Sequence, residues 1–413
     1  MSLSPKPGHV TVRMYNVGFG DAFLIVFPDD QRVLIDCGMH PAGRGPRDIE
    51  EVVESILADV SDDDGARIDV VVCTHRHRDH VSGFDNPLWK EVRVGEVWMP
   101  WTEDPRDPEA ARIREGQAHL AAALRAALDD GAAATPLALN SLPNAAAMDT
   151  LHSGFTGNPR RRFFPAGDDV VSELECESLN SADVRVRVLG PSREEKVIRD
   201  VDPPAGAAYL RAASDGDVAS DGDVGSEPSP FADSWELTSA ELAGDEGLKQ
   251  LRLTDEELAR IRQAADGDLF GTAVALEKAI NGTSLVLCFD LGDARLLFPA
   301  DAQWGTWELI LEDAEATALV ERVNLLKVGH HGSHNATPKA FVELLARRPR
   351  DLDLWAMVPT HPIKIWPKIP KSELLDALAE VTPQIARSDA GAGPAVPGFD
   401  RWDEQAIDVH IPI

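Results

Sequence analysis

Three histidines and an aspartate occupy four of the six positions from 75 to 80, as His75, His77, Asp79 and His80. Imidazole nitrogens and carboxylate oxygens are the ligands that zinc and similar divalent ions prefer. Histidine makes up only 12 of the 413 residues, so this concentration favours a metal site over a polar loop. On an extended backbone His75 and His77 would point to one face and bind one ion. The chain would then turn into a helix, from which Asp79 and His80 reach a second ion.

Short apolar strands are the elements that would hold these residues. A run rich in β-branched residues at 68–73 precedes the first histidine group and predicts a buried strand. Another apolar run at 296–300 precedes Asp301, whose carboxylate could bridge two ions. A third run at 325–328 precedes a glycine-containing turn with three more candidate ligands: His330, His331 and His334. Loops at the ends of separate strands are therefore expected to converge.

Alternating strands and helices are predicted on both sides of a long central region. Residues 108–129 predict an alanine-rich helix and residues 130–160 read as a loop, whereas 213–224 repeat an acidic hexapeptide that we expect to be mobile. Helices are predicted again at 253–279 and a strand at 284–289. The predicted organisation is a first half-domain at 1–102, a helical and loop insertion at 103–180, a core strand at 181–193, a low-complexity and helical insertion at 194–280, and a second half-domain at 281–413.

The charge and hydropathy of the chain limit its partners. The formal net charge is −30, which disfavours binding to polyanions at long range. A local basic patch such as Arg160-Arg161-Arg162, expected in a loop, could still guide a nucleic-acid strand. No apolar stretch is long enough to span a bilayer, and the first ten residues lack a secretory pattern, so we expect a cytoplasmic protein without membrane contact.

The order His-x-His-x-Asp-His, then a later aspartate and a later histidine, resembles the metallo-β-lactamase superfamily. Segments 17–25, 34–38, 281–287 and 327–333 are similar to the soluble hydrolase domain of ComEC-type competence proteins. The resemblance implies an α/β fold, a metallo-β-lactamase-like αββα sandwich carrying a long, partly helical and partly disordered insertion. It also implies two divalent ions, with Zn²⁺ favoured and Mn²⁺ as the alternative.

The resemblance also assigns roles to the candidate residues. His75 and His77 would hold one ion, Asp79 and His80 the other, and Asp301 would bridge them. His330 would complete the second site, with His331 as the alternative ligand. Catalytic roles fall to Asp79, which would orient the hydroxide, and to His331. Three residues are candidates for binding the substrate: Lys327, Ser333 and His334. Lys327 could equally be a solvent-facing strand residue.

This sequence departs from the superfamily pattern at one ligand. Many members carry a further histidine between the first motif and the bridging aspartate, and only His119 and His152 are available here. The resemblance to ComEC-type hydrolases implies hydrolysis of a phosphodiester, as a nuclease or nucleotide phosphodiesterase, by a hydroxide that two metal ions activate. The alternatives are a hydrolase of a small ester, lactone or phosphocholine-type substrate, and a regulated subunit that binds a protein partner through 103–280.

Overall fold

The structure is a computed structural model that describes residues 3–129, 136–174, 176–179, 184–204, 206–208, 272–333, 335–349, 352–364, 366–391 and 393–413. His334, the acidic repeat at 213–224 and most of the predicted helical segment at 253–279 lie outside the described residues. The last part of that segment is described, and residues 272–281 are helical.

The described strands form two sheets. The first has nine strands: β1 (His9–Tyr15), β2 (Phe23–Val26), β3 (Arg32–Ile35), β4 (Ser61–Asp62), β5 (Gly65–Val72), β6 (Arg93–Pro100), β7 (Arg160–Phe164), β15 (Arg401–Trp402) and β16 (Ala406–Pro412). The second has seven: β8 (Ser172–Leu174), β9 (Arg185–Gly190), β10 (Val286–Leu291), β11 (Ala294–Phe298), β12 (Leu325–Lys327), β13 (Trp355–Val358) and β14 (Ile385–Arg387). Their orders are β15-β16-β1-β2-β3-β5-β6-β7, with β4 beside β5, and β14-β13-β12-β11-β10-β9-β8.

The two sheets pack face to face around an apolar core. Large side chains from both sheets meet there, including Phe23 and Trp98 from the first and Phe289 and Phe298 from the second. The outer face of the first sheet is covered by the amphipathic helix Ile49–Val60. Four helices cover the outer face of the second: Trp304–Glu312, Ala314–Val320, Lys339–Ala346 and Ser372–Val381. The predicted αββα sandwich is confirmed.

Residues 103–180 are more ordered than the sequence suggested. After the predicted helix Pro108–Asp129, the expected loop instead contains two short helices, Pro136–Ser141 and Ala145–Asp149, and one turn of π-helix at Thr150–Gly154. The prediction of a loop was wrong because scattered apolar residues of this stretch pack against the first sheet; Leu151 and Phe155 are buried beside Trp89.

Two further local predictions need correction. The triple arginine lies in the strand β7, which pairs in parallel with β6, and not in a loop. The strand predicted at 284–289 begins two residues later, at Val286, because Ser284 closes a turn by donating its backbone N–H to the carbonyl of Asn281.

Parallel pairing in both sheets determines where the functional loops lie. Strands β3, β5 and β6 run parallel in the first sheet, and β11, β12 and β13 run parallel in the second. The polar residues that follow these parallel strands therefore lie at one edge of each sheet, where the carboxyl ends of the strands meet. A backbone hydrogen bond of 2.9 Å from Leu285 to Thr74 joins the two sheets at this edge.

Candidate metal centre

The loop after β5 brings the first two histidine rings together. His75 Nε2 lies 3.1 Å from His77 Nδ1, and both side chains are buried. His77 has an extended backbone and immediately precedes the short helix Arg78–Val81, which carries Asp79 and His80. The predicted change from extended chain to helix within this segment is confirmed.

Asp301 lies among the imidazoles of both histidine groups. Its Oδ2 is 3.3 Å from His80 Nε2 and 4.0 Å from His75 Nε2. The same oxygen is 3.9 Å from His330 Nε2. A carboxylate oxygen that faces three imidazole nitrogens has the surroundings expected of a bridging ligand.

His330 and His331 follow β12 in a tight turn and have different partners. Both have a left-handed backbone, with φ of 45° and 55°. Such strain in non-glycine residues costs about 1–3 kcal/mol each and clusters at functional sites. The turn places His331 Nε2 3.2 Å from Asp79 Oδ2, whereas His330 Nε2 faces Asp301 and lies 3.7 Å from Glu277 Oε1. Both histidines therefore reach the cluster.

The spacing of these nitrogen and oxygen atoms fits metal coordination. Ligands at about 2.0–2.2 Å from a tetrahedral zinc ion lie about 3.4 Å from one another. Among neighbouring donor pairs, the distances run from 3.1 Å for His75–His77 to 4.0 Å for His75–Asp301. The atoms of His75, His80 and Asp301 form a group that could hold one ion.

Outer hydrogen bonds leave one nitrogen of three histidine rings facing the cluster. His80 Nδ1 lies 2.8 Å from Asp36 Oδ2, and His331 Nδ1 lies 3.0 Å from the carbonyl oxygen of Pro359. His75 Nδ1 lies 3.1 Å from Thr74 Oγ1. When these acceptors hold the Nδ1–H groups, each Nε2 keeps a free lone pair, which is the arrangement seen around metal-binding histidines.

A second group with closely spaced donor atoms is Asp21, His80 and His331. Its contacts run through His80 Nδ1 at 3.8 Å and His331 Nδ1 at 3.5 Å from the Asp21 carboxylate. These are the nitrogens that already contact Asp36 and Pro359. We therefore place Asp21 in the layer that orients the ligands and not among the ligands themselves.

The electrostatics of the cluster favour bound cations. Burial lowers the pKa of His75 well below its usual value and that of His77 to about 4, so both rings are neutral, as ligands must be. Burial opposes the charged form of His80, yet the nearby carboxylates, Asp301 first among them, raise its pKa well above the usual range. Despite burial, His80 and Lys327 hold the pKa of Asp301 well below its usual value.

Two of the three predicted substrate-binding residues are described, and both are buried. Lys327 is only 1 % exposed, and its Nζ lies 2.6 Å from Asp21 Oδ2 and 3.3 Å from Asp301 Oδ1, so the alternative of a solvent-facing lysine is wrong. Ser333 is buried and donates a hydrogen bond of 2.7 Å to Asn335 Oδ1. His334 lies outside the described residues.

Sequence reasoning missed a buried amide at this site. Asn140, on the helix Pro136–Ser141, donates from Nδ2 to Asp79 Oδ1 at 3.0 Å. Nothing in the sequence around it signals this role. The two histidines considered for the missing ligand do not supply it: His152 stacks on Phe163, and no hydrogen bond or ion pair among the described residues joins His119 to the cluster.

Comparison with known proteins agrees with this geometry. The family model of the metallo-beta-lactamase superfamily matches residues 15–168, which include the loop carrying His75 to His80. Members of this superfamily are generally metal-dependent hydrolases. A search of curated proteins found no match. The match is to the superfamily as a whole, so the likeness to ComEC-type hydrolases remains a resemblance. None of the described helices combines the length and the apolar character needed to cross a membrane.

Proposed function

We propose that this protein is a metal-dependent hydrolase with two divalent ions, Zn²⁺ being favoured and Mn²⁺ the alternative. The observation that carries this proposal is the convergence of buried imidazoles and carboxylates from the ends of β5, β11 and β12. In three of the rings, Nδ1 contacts an acceptor outside the cluster. Nε2 is then free to bind a metal ion.

The superfamily resemblance, with one change made from the contacts of the rings, gives the proposed ligands. His75 and His77 would hold the first ion, and Asp301 would bridge to the second. Asp79, His80 and His331 would complete the second site, so His331 takes the place first given to His330, which contacts Asp301 and Glu277 instead. When bound, such ions supply Lewis-acid polarisation of a substrate oxygen and lower the pKa of water.

The chain's own residues would orient this machinery. Asn140 holds Asp79 Oδ1, which leaves Oδ2 to face His331. Lys327 lies between Asp21 and Asp301 and neutralises part of the carboxylate charge that the site concentrates. In this proposal Lys327 is a positioning residue. Substrate contacts by Ser333 and His334 remain predictions.

A groove beside the site supports a phosphodiester as the substrate. It has a volume of about 390 Å³ and is lined by three arginines: Arg44, Arg78 and Arg125. Arg78 belongs to the histidine loop itself. Guanidinium groups recognise phosphate oxygens well. Asp48 and Glu50 line the same groove, and Arg44 lies 3.8 Å from Asp48, so the groove carries one net positive charge. The net charge of the whole chain, −30, favours a small diester over a long nucleic acid.

Activity on a panel of substrates would test the proposal. The metal-loaded protein is expected to hydrolyse bis(p-nitrophenyl) phosphate, and single-stranded DNA, double-stranded DNA and RNA would show whether it also acts on polymers. Hydrolysis of p-nitrophenyl acetate or a lactone without any diester cleavage would instead favour the small-ester alternative. No hydrolysis by a protein that binds two ions would favour the regulated subunit.

The arginine groove allows a sharper test. Arg125→Ala is expected to raise KM for a phosphodiester several-fold and to leave kcat near its original value, because in this proposal Arg125 binds the part of the substrate that lies in the groove and not the phosphate at the metal ions. Arg106→Ala provides the matched control, since Arg106 is an exposed arginine outside the groove. Equal KM values for both variants would show that the groove does not bind the substrate. A cytoplasmic location and a partner that docks on 103–280 remain predictions.

A further inference from the structure

A buried histidine outside the metal cluster has one ring nitrogen without a partner. His40 lies in the loop after β3 and is 0 % exposed. Its Nε2 makes no hydrogen bond with any of the described residues. A buried polar group that forms no hydrogen bond is costly, and natural proteins contain few of them. The unpaired nitrogen therefore calls for an explanation.

The other ring nitrogen of His40 shows which tautomer is present. Nδ1 accepts a hydrogen bond of 3.1 Å from the backbone N–H of Ala42, so Nδ1 carries no proton. Burial lowers the pKa of His40 to about 4, which leaves the ring neutral at pH 7. A neutral imidazole whose Nδ1 is unprotonated carries its proton on Nε2. The unpaired atom is thus a hydrogen-bond donor that lacks an acceptor.

Backbone hydrogen bonds hold this donor close to the metal centre. The N–H of His40 donates to the carbonyl oxygen of Phe19 at 2.7 Å, and the N–H of Gly43 donates to the carbonyl oxygen of His40 at 2.9 Å. The imidazole packs edge-on against the ring of Phe19, with centroids 5.6 Å apart. Phe19 in turn lies 4.1 Å from the ring of His331. A single aromatic ring therefore separates His40 from a proposed ligand of the second ion.

His40 also belongs to the lining of the arginine groove, together with Arg78 and Arg125. Among charged side chains, Asp79 has the largest effect on the pKa of His40, and His331 and Arg78 follow. The imidazole thus lies between the second metal site and the groove. A substrate that extends from the groove to the ions would pass beside it.

We propose that His40 binds the substrate by donating a hydrogen bond from Nε2 to an oxygen of the phosphodiester. A phosphate oxygen is a strong, negatively charged acceptor, and a site shielded from water strengthens the bond. A neutral donor also suits this place, because it does not repel two bound cations. The inference rests on the proposed function, since it assumes a phosphodiester as the substrate. It adds a residue that neither the histidine motifs nor the superfamily resemblance identified.

Two substitutions separate the roles of the two ring nitrogens. His40→Asn keeps an acceptor near Nδ1 for the N–H of Ala42 and removes the donor at Nε2. His40→Gln keeps an amide N–H near the position of Nε2. Asparagine is thus the variant that removes the proposed contact, and glutamine is the conservative variant that should restore part of it.

Kinetics with bis(p-nitrophenyl) phosphate would test the inference. We expect His40→Asn to raise KM by ~10–100-fold, the effect of losing a hydrogen bond to a charged group, and to leave kcat near its original value. The inhibition constant of inorganic phosphate should rise by a similar factor, and His40→Gln should recover part of both losses. Both variants should retain two ions per chain. His9→Asn is the matched control, since His9 lies at the start of β1 and outside the groove.

The outcomes separate this inference from the proposed function. Unchanged KM and phosphate inhibition in His40→Asn would overturn the inference alone, as would loss of metal from that variant, because His40 would then act through the ions. A wild-type protein that does not hydrolyse the diester would overturn both. Should the variants fail to fold, the crystal structure of the Zn²⁺-loaded wild-type protein with bound phosphate decides. A phosphate oxygen within ~3.2 Å of His40 Nε2 supports the inference, and a longer distance for every oxygen refutes it.

Discussion

Asn140 and Asp79 are joined by two reciprocal hydrogen bonds in a buried environment. The backbone N–H of Asp79 donates to Asn140 Oδ1 at 3.1 Å, and Asn140 Nδ2 donates to Asp79 Oδ1 at 3.0 Å. The backbone N–H of Asp79 lies in the first turn of the helix Arg78–Val81, where it has no partner within the helix. A residue of the insertion thus satisfies that donor and orients a candidate metal ligand.

We expect Asn140→Ala to weaken metal binding by ~10–100-fold, as is typical when a group that supports a ligand is removed. The free energy of unfolding should also fall by about 1–3 kcal/mol, because Asp79 loses buried hydrogen-bond partners. Chelator competition and urea unfolding measure the two effects. Leu139→Ala is the control on the same helix, since Leu139 is 38 % exposed. Equal metal affinities in the two variants would show that Asn140 does not support the site.

The Asn140 contact illustrates what the sequence could not predict. His75, His77, Asp79 and His80 are close in sequence, so local spacing was enough to identify them. Asn140 stands in an alanine-rich stretch with no regular apolar pattern, and only the packing of distant helices brings it to Asp79. A contact between residues 61 positions apart leaves no local signal.

Asp301→Asn should abolish high-affinity binding of both ions, since one oxygen faces the imidazoles of His75, His80 and His330. The change keeps the shape of the side chain and removes its charge. We expect activity to fall by more than the ~100-fold that marks the loss of a supporting group. Elemental analysis after dialysis provides the measurement. Asp293→Asn, in the exposed turn before β11, is the control, and two retained ions in Asp301→Asn would contradict the bridging role.

The site residues that lie far apart in sequence were predictable because of one rule. Asp301 and His330 each follow an apolar strand, and the carboxyl ends of parallel strands meet at one sheet edge. That rule does not describe how a side chain is oriented. The rule does not predict whether Lys327 faces solvent or the site. It also does not predict which partners His330 and His331 contact. Both depend on the left-handed turn after β12.

Lys327→Met should destabilise the metal-free protein by about 3–5 kcal/mol, the cost of removing one partner from a buried ion pair. The amine lies between Asp21 and Asp301, and its loss leaves two buried carboxylates facing each other. Saturating Zn²⁺ should restore part of this stability, because a ligand that binds only the folded state stabilises it. Urea unfolding with and without Zn²⁺ tests both points. Lys196→Met is the control, since Lys196 is 80 % exposed, and an equal effect of both substitutions would rule out the role of Lys327.

Metal uptake should release protons at neutral pH. Burial opposes the charged form of His330, yet Asp301 and Glu277 outweigh it and raise the pKa of this ring to about 9. The metal-free protein therefore carries a proton on His330 at pH 7, and an ion bound to Asp301 would favour the loss of that proton, because a nearby cation disfavours the charged imidazole. Because the pKa is raised, affinity should increase as the pH rises toward 9 and level off above it.

Isothermal titration with Zn²⁺ in two buffers of different ionisation enthalpy would count these protons. The apparent enthalpy should differ between the buffers at pH 7 and less so at pH 9.5, where His330 is already neutral. His330→Gln should release about one proton fewer at pH 7, because the glutamine amide does not titrate in this range. His9→Gln is the control, since His9 lies at the start of β1. Proton release that is the same in His330→Gln and the wild-type protein would show that His330 does not lose a proton when the metal binds.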